Sequence, residues 1–278
     1  MAYSICCKDT YMVSKLGIEE VSESDLKNLV CYPFVTDRCL GILTRLRDLG
    51  AKVLSAGRSC LGKYRVLGKG HSSIILAGAY EGNLVAIKVI RQDSKRDSLR
   101  IEGEILRRLS NYGITPKVFY FDDDIIIMEI IEGPTLTQLF NECIAELTYK
   151  DRELATKLVK VLVKELLMKA FLMDKLGIIH KELSKPGKHV LINCKRGRAV
   201  FIDFESVTLG GKGSNLTALA SGLILRGSTT SLIVRDLLGI DDIKVSLLKA
   251  ELSRYKKSLG ERKAIIEKVM RFLELTSV

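Results

Sequence analysis

A chain of 278 residues has room for a large core and for two lobes. At 47% hydrophobic and 28% charged it is a globular protein, not a disordered one, and no uncharged apolar run reaches the roughly 18 residues of a membrane span. The net charge of +11 favours polyanionic partners such as nucleotide, RNA or a ribonucleoprotein, although solvated lysines on an ordinary basic surface account equally well for most of it.

The start of the chain lacks the apolar core of a signal peptide, so a cytoplasmic location is expected. The seven cysteines include no C-x-x-C pair, which speaks against zinc. Their odd number suits reduced intracellular thiols, a disulfide in a thermophile being the alternative.

Residues 1 to about 20 show little periodicity. Ser22 to Asp25, followed by Leu26, Leu29 and Val30, reads as a capped short helix stopped near Pro33. Thr36-Asp37 opens a second helix with Leu40, Ile42, Leu43, Leu46 and Leu49 on one face, closed by Gly50. Val53-Leu54 is a short strand. Residues 1–62 are therefore expected to form an N-terminal, mainly helical extension.

From Tyr64 the period becomes two. Tyr64–Leu67, Ser73–Ala79 and Leu84–Ile90 read as antiparallel strands, the first pair joined by Gly68-Lys69-Gly70 and the second by Glu81-Gly82-Asn83. Leu99–Leu109 is a helix, and Val118–Phe121 with Ile125–Ile130 a second hairpin. Residues 63–132 thus predict a five-stranded antiparallel sheet with one helix. Glu132-Gly133-Pro134 is the linker, and 133–278 is mainly helical. Arg152–Leu176 has so wide an apolar face that it should be a buried central helix, closed by Gly177. Further helices are expected over 215–225, 232–238, 243–255 and 261–275. Between them, Val190–Ile192 and Ala199–Ile202 flank the basic turn Lys195–Arg198 as a hairpin. A hairpin brings its outer ends together, so Glu182, His189 and Asp203 should meet at one edge. A carboxylate pair with a nitrogen or oxygen ligand between them is what a metal–nucleotide site needs, the alternative being a surface hairpin with solvated charges.

The upstream lobe supplies matching chemistry. Gly68 and Gly70 let backbone approach phosphates. Val85-Ala86-Ile87-Lys88 puts a lysine on the third strand, eighteen residues after Gly70. Such a lysine pairs with α/β-phosphates when a helix glutamate holds it. Glu102, fourteen residues on, is the candidate and Glu104 the alternative; two apart on a helix, they cannot both face Lys88. Met128, Glu129 and Ile131 lead toward the linker, where backbone groups suit an adenine edge with Met128 behind the ring.

The ordered set G-K-G, V-A-I-K, helix Glu, M-E-I-I-E-G, H-K-E-L…K-H-V-L-I and I-D-F-E resembles the protein-kinase superfamily over residues 64–206. In detail it is similar to the archaeal predicted serine/threonine kinases, a group related to the RIO and KEOPS-subunit kinases, with which it shares E-L-S-x-P-x-K-H-V and I-D-F-E-S. The resemblance implies an α+β, bilobal kinase-like fold with a truncated C-lobe, and ATP with Mg²⁺ or Mn²⁺ as cofactors. It places Lys88 on the phosphates, Glu102 against Lys88, and Asp203 on the metal. Glu182 stands where the family has its catalytic aspartate. His189 stands near the metal-binding asparagine, seven residues after Glu182 rather than five, and suits Mn²⁺ better than Mg²⁺. Glu205 replaces the glycine of D-F-G, as a third acidic metal contact or an exposed residue. Lys185 or Lys188 is implied at the γ-phosphate. Too little chain follows Asp203 for a full substrate platform, and no A-P-E occurs. The implied activity is transfer of the γ-phosphate to Ser/Thr of the protein itself or of a partner. The alternatives are a nucleotide-gated switch in an RNA- or ribosome-associated complex and, with little room for a substrate lobe, a small-molecule kinase.

Overall fold

The computed structural model describes residues 3–15, 17–211 and 213–275. It is a mixed α+β structure of two compact units. One runs from Lys8 to Glu132; the other joins the first residues, up to Cys7, with the chain from Gly133 onward. No single helix among the described residues is long and apolar enough to cross a membrane.

In the first unit β1 (Glu19–Glu20) leads to α1 (Glu23–Val30) and α2 (Asp37–Asp48). Both helices start where a hydroxyl accepts from a backbone N–H: Ser22 from Asp25, and Thr36 from Cys39. Next come β2 (Lys52–Ser55), β3 (Ser59–Leu61), β4 (Tyr64–Val66), β5 (Gly68–Lys69), β6 (Ser73–Tyr80) and β7 (Asn83–Ile90). Helix α3 (Arg100–Ser110) precedes β8 (Val118–Phe121) and β9 (Ile125–Glu129). The β6–β7 turn is Glu81-Gly82, both left-handed, matching the strands' own twist.

The sheet has seven strands in the order β1-β2-β6-β7-β9-β8, with β5 on β6, rather than five. Residues 1–62 are accordingly not a separate helical module. β1 and β2 belong to this sheet, β2 pairing Leu54 with Ala77. The strand expected at 64–67 is not in the sheet either: β4 pairs with β3, while Gly68 and Lys69 pair with Ile75 and Ile74. Backbone partners across a turn are a tertiary choice that alternation cannot reveal. Helix α2 is held to the β8–β9 turn by charge, since Arg38 meets Asp124 at 2.6 Å and Arg45 meets Asp122 at 3.1 Å.

The second unit continues with α4 (Leu136–Gln138), a π-helical stretch (Leu139–Ile144), α5 (Ala145–Lys150) and α6 (Arg152–Lys175). Helix α6 starts on an Asp151 cap, and Gly177 follows it in a left-handed conformation. Its Leu158, Val159, Leu162, Val163, Leu166 and Leu167 are all buried, as a central helix requires. Then come β10 (Ile178–His180), β11 (Val190–Asn193), β12 (Arg198–Phe201) and β13 (Val207–Leu209). β10 pairs with β13 and β11 with β12, the latter being the expected hairpin. Helices α7 (Asn215–Ala220), with a π-helical end at Ser221–Leu225, α8 (Thr229–Leu237), α9 (Asp242–Lys257) and α10 (Arg262–Phe272) complete it.

The cysteines correct the expectation of reduced thiols. Cys6 is bonded to Cys143, Cys7 to Cys194, and Cys31 to Cys39, leaving Cys60 free. Two of these pairs lie 137 and 187 residues apart, so packing brings them together and spacing carries no signal. Residues 3–7 lie on the second unit as a strap, with Tyr3 and Cys6 buried and the Tyr3 hydroxyl donating to Glu165 at 3.2 Å.

Candidate phosphotransfer site

In the first unit Lys88 extends from β7 to α3, its Nζ 2.7 Å from Glu102 Oε1. The other oxygen of Glu102 accepts from Arg96 at 2.6 Å. Lys88 and Glu102 are only 3% and 2% exposed, so the pair is an organised part of the interior. Glu104 lies on the exposed side of α3, which decides between the two glutamates.

Register places Gly68, Ile75 and Lys88 on one sheet face, together with Ala86 and Met128. Met128, Leu67 and Ile75 are partly buried against a core cluster of Val13, Ala56, Ala77, Ala86 and Ile130. The Gly70 amide donates to Ser73 at 2.8 Å, so the loop tip is the tight turn after β5. The Glu129 amide donates to the Lys117 carbonyl at 2.7 Å, so this N–H is taken up within the protein. Ile131 lies half-buried beyond the end of β9.

In the second unit Glu182, His189 and Asp203 converge. His189 Nδ1 is 3.9 Å from Glu182 Oε2 and 3.7 Å from Asp203 Oδ2, and the three ligand atoms lie within 4.8 Å of one another. His189 Nδ1 is buried and has no hydrogen-bond partner among the described residues. A buried nitrogen without a partner is costly unless something else satisfies it. Donors around one octahedral ion with bonds of about 2.1 Å stand roughly 3 to 4.2 Å apart, and the two measured separations fall inside that window. The residues present therefore fit a divalent ion. Asp203 adds a second sign: its φ is +65°, a left-handed conformation that a non-glycine residue adopts at a cost.

The loop carrying Glu182 is built by close packing. A Cβ on Gly222 would come 2.6 Å from both Pro186 Cδ and the Ser184 carbonyl oxygen, and one on Gly187 would strike the Thr137 hydroxyl. Within the loop Lys185 N–H donates to Glu182 O at 2.9 Å and His189 N–H to Pro186 O at 3.1 Å. Lys185 and Lys188 are both exposed. Glu205, two residues beyond Asp203 and half-buried, stands outside the three-residue group of Glu182, His189 and Asp203. Buried Phe204 intervenes, its ring packing edge-on at 4.8 Å from His180.

His180, Asp174 and Asn215 form a supporting network whose role the sequence did not announce. The Glu182 amide donates to His180 Nδ1 at 3.2 Å, so Nε2 carries the proton and faces the Ile202 carbonyl at 3.1 Å. The ring thus joins the segment before Glu182 to the one before Asp203. Burial pushes the His180 imidazole below its ordinary pKa. Asn215 Oδ1 accepts from the His180 amide at 2.8 Å, and its Nδ2 donates to Asp174 and to the Ile178 carbonyl. Asp174 also accepts from Ser214 and from Tyr255. Its partners are about 40 and 81 residues away in sequence, beyond any local pattern.

No protein-family model matches the chain, and no curated protein matches it in sequence.

Proposed function

We propose that the protein is an ATP-dependent phosphotransferase, an atypical Ser/Thr protein kinase whose two units are the lobes of a kinase-like fold. The observation that carries the reading is the unpartnered His189 nitrogen between the Glu182 and Asp203 carboxylates. Lys88, charged and already oriented by Glu102, supplies the positive end for nucleotide phosphates. Ala86, Ile75 and Met128 offer the apolar surface that an adenine ring takes.

Asp203, His189 and one oxygen of Glu182 would hold Mg²⁺ or Mn²⁺, which neutralises phosphate charge when bound. The second Glu182 oxygen is then available to accept the proton of a substrate hydroxyl, a task for which a carboxylate one methylene longer than aspartate suits a longer loop. Exposed Lys185, three residues after Glu182, would supply positive charge for the transferred phosphoryl group. Incubation with γ-labelled ATP and Mn²⁺ tests the reading. Label on Ser or Thr of the protein, or of an added acceptor protein, is expected. Free phosphate alone would favour a nucleotide-gated switch, and neither product would sink both.

A further inference from the structure

The residue at the centre of the G-x-G turn, Lys69, does not face the same way as Lys88. Register pairs Lys69 with Ile74 and Ile74 with Val89, whereas Gly68 shares its row with Ile75 and Lys88. Alternation along a strand therefore puts Lys69 on the opposite face of the sheet. There its Nζ lies 4.6 Å from the centre of the Tyr32 ring, and the Arg91 guanidinium lies 5.1 Å from the same ring.

Arg91 also grips the turn directly. It donates to the Gly70 carbonyl at 2.9 Å, its backbone amide donates to Ser72 O at 2.9 Å, and Asp93 holds its guanidinium by two contacts of 2.8 and 2.6 Å. Tyr32 in turn stands on a fixed base. The Cys31–Cys39 bond ties it to α2, its carbonyl accepts from the Gln92 amide at 3.0 Å, and Thr36 donates to the Gln92 side chain at 2.6 Å.

We propose that Tyr32 is a positioning residue for the glycine turn, a latch that clasps Lys69 and Arg91 from the back of the sheet and holds residues 68–72 in register over the Lys88 face. The proposal rests on the nucleotide reading for its purpose, not for its geometry. Cation–π contact needs the ring and not the hydroxyl. It also lies on the face opposite Lys88, so the latch shapes the turn without itself occupying the Lys88 side. Through it the N-terminal helices, which otherwise have no part in the site, set how firmly the turn is held.

Amide hydrogen exchange in the nucleotide-free protein reads the latch directly at Gly70 and Leu67, whose N–H groups bond to Ser73 and Ile75. Two cation–π contacts are together worth a factor of roughly 5 to 30 in the opening equilibrium. Tyr32→Leu should speed exchange there by about that factor, Tyr32→Phe should not, and exposed Lys69→Met should give a smaller acceleration that Lys69→Arg restores. With ATP and Mn²⁺, Tyr32→Leu should raise KM for ATP by a few-fold and leave kcat nearly unchanged. Unchanged exchange in Tyr32→Leu, or equal loss in Tyr32→Phe, overturns the latch. Faster exchange with an unchanged KM overturns its role in nucleotide binding. Wild-type protein that binds no ATP at all defeats the nucleotide reading, and with it that role, while the exchange ratio still decides whether Tyr32 holds the turn.

Discussion

His189 Nδ1 lies 3.7 Å from Asp203 Oδ2, buried and with no hydrogen-bond partner among the described residues. In the proposed site this nitrogen would share a divalent ion with the two carboxylates. Imidazole is a better ligand for Mn²⁺ than for Mg²⁺, which prefers oxygen. Mn²⁺ should therefore bind with one ion per chain, followed by electron paramagnetic resonance, and support turnover at least as well as Mg²⁺. His189→Phe should weaken Mn²⁺ binding by about tenfold or more. Equal Mn²⁺ affinity in that variant would remove His189 from the ligand set.

Lys88 is an interior residue as well as the proposed charge for phosphates, so its replacement should have two consequences. Lys88→Met should lower ATP affinity or turnover markedly. It should also cost roughly 1–3 kcal/mol of stability, less than the ~3–5 kcal/mol of an orphaned buried charge, because Arg96 still pairs with Glu102. Urea unfolding and nucleotide titration measure the two separately. Unchanged affinity and turnover would remove the nucleotide-binding role of the first unit.

His180 predicts how stability depends on pH. Burial lowers its pKa in the folded state, so on acidification the unfolded chain takes up the proton first. This contribution is complete above the unfolded value of about 6.5 and is lost as pH falls below it. Wild-type unfolding free energy should then fall between pH 7 and 5 with an extra slope of up to about 1.4 kcal/mol per pH unit. The slope should be shallower in His180→Phe, whatever that variant's absolute stability. Parallel slopes would place the proton uptake elsewhere.

The three disulfides predict a thiol count. Among the seven cysteines, Cys60 alone should react in the unreduced protein, and all seven after denaturation with reductant. Closing loops of this length is worth up to about 5 kcal/mol per bond in the chain-entropy picture, so a reductant should lower Tm by several degrees. Seven reactive thiols without reductant would contradict the pairing.

Much of the site was legible because its parts are local. Alternation over 84–90 locates Lys88, a fourteen-residue step to a helix glutamate locates its partner, and the Val190–Ile192 hairpin brings His189 to Asp203. Features made by distant packing were not legible. β2 joins β6 only in three dimensions, and β4 leaves the sheet to pair with β3. Cys6 and Cys7 lie in a stretch without periodicity. Asn215, which ties His180 to Asp174, looks in sequence like an ordinary helix start. The bond from the Glu129 amide to the Lys117 carbonyl likewise joins residues that no local pattern pairs.

Glu182, His189 and Asp203 are proposed to form a phosphotransfer centre, and Glu182→Gln removes the one group assigned to the substrate hydroxyl. The substitution keeps the shape and removes the charge, and general-base assistance is worth roughly 10²- to 10⁴-fold. Glu182→Asp should also be impaired, since a shorter side chain on this loop leaves the carboxylate about 1 Å short. The rate of label transfer from γ-labelled ATP, measured beside ATP affinity, is the decisive quantity. Transfer should fall by about 10²- to 10⁴-fold in Glu182→Gln while ATP affinity hardly changes. Full transfer activity in that variant would contradict the account and make Glu182 a structural residue.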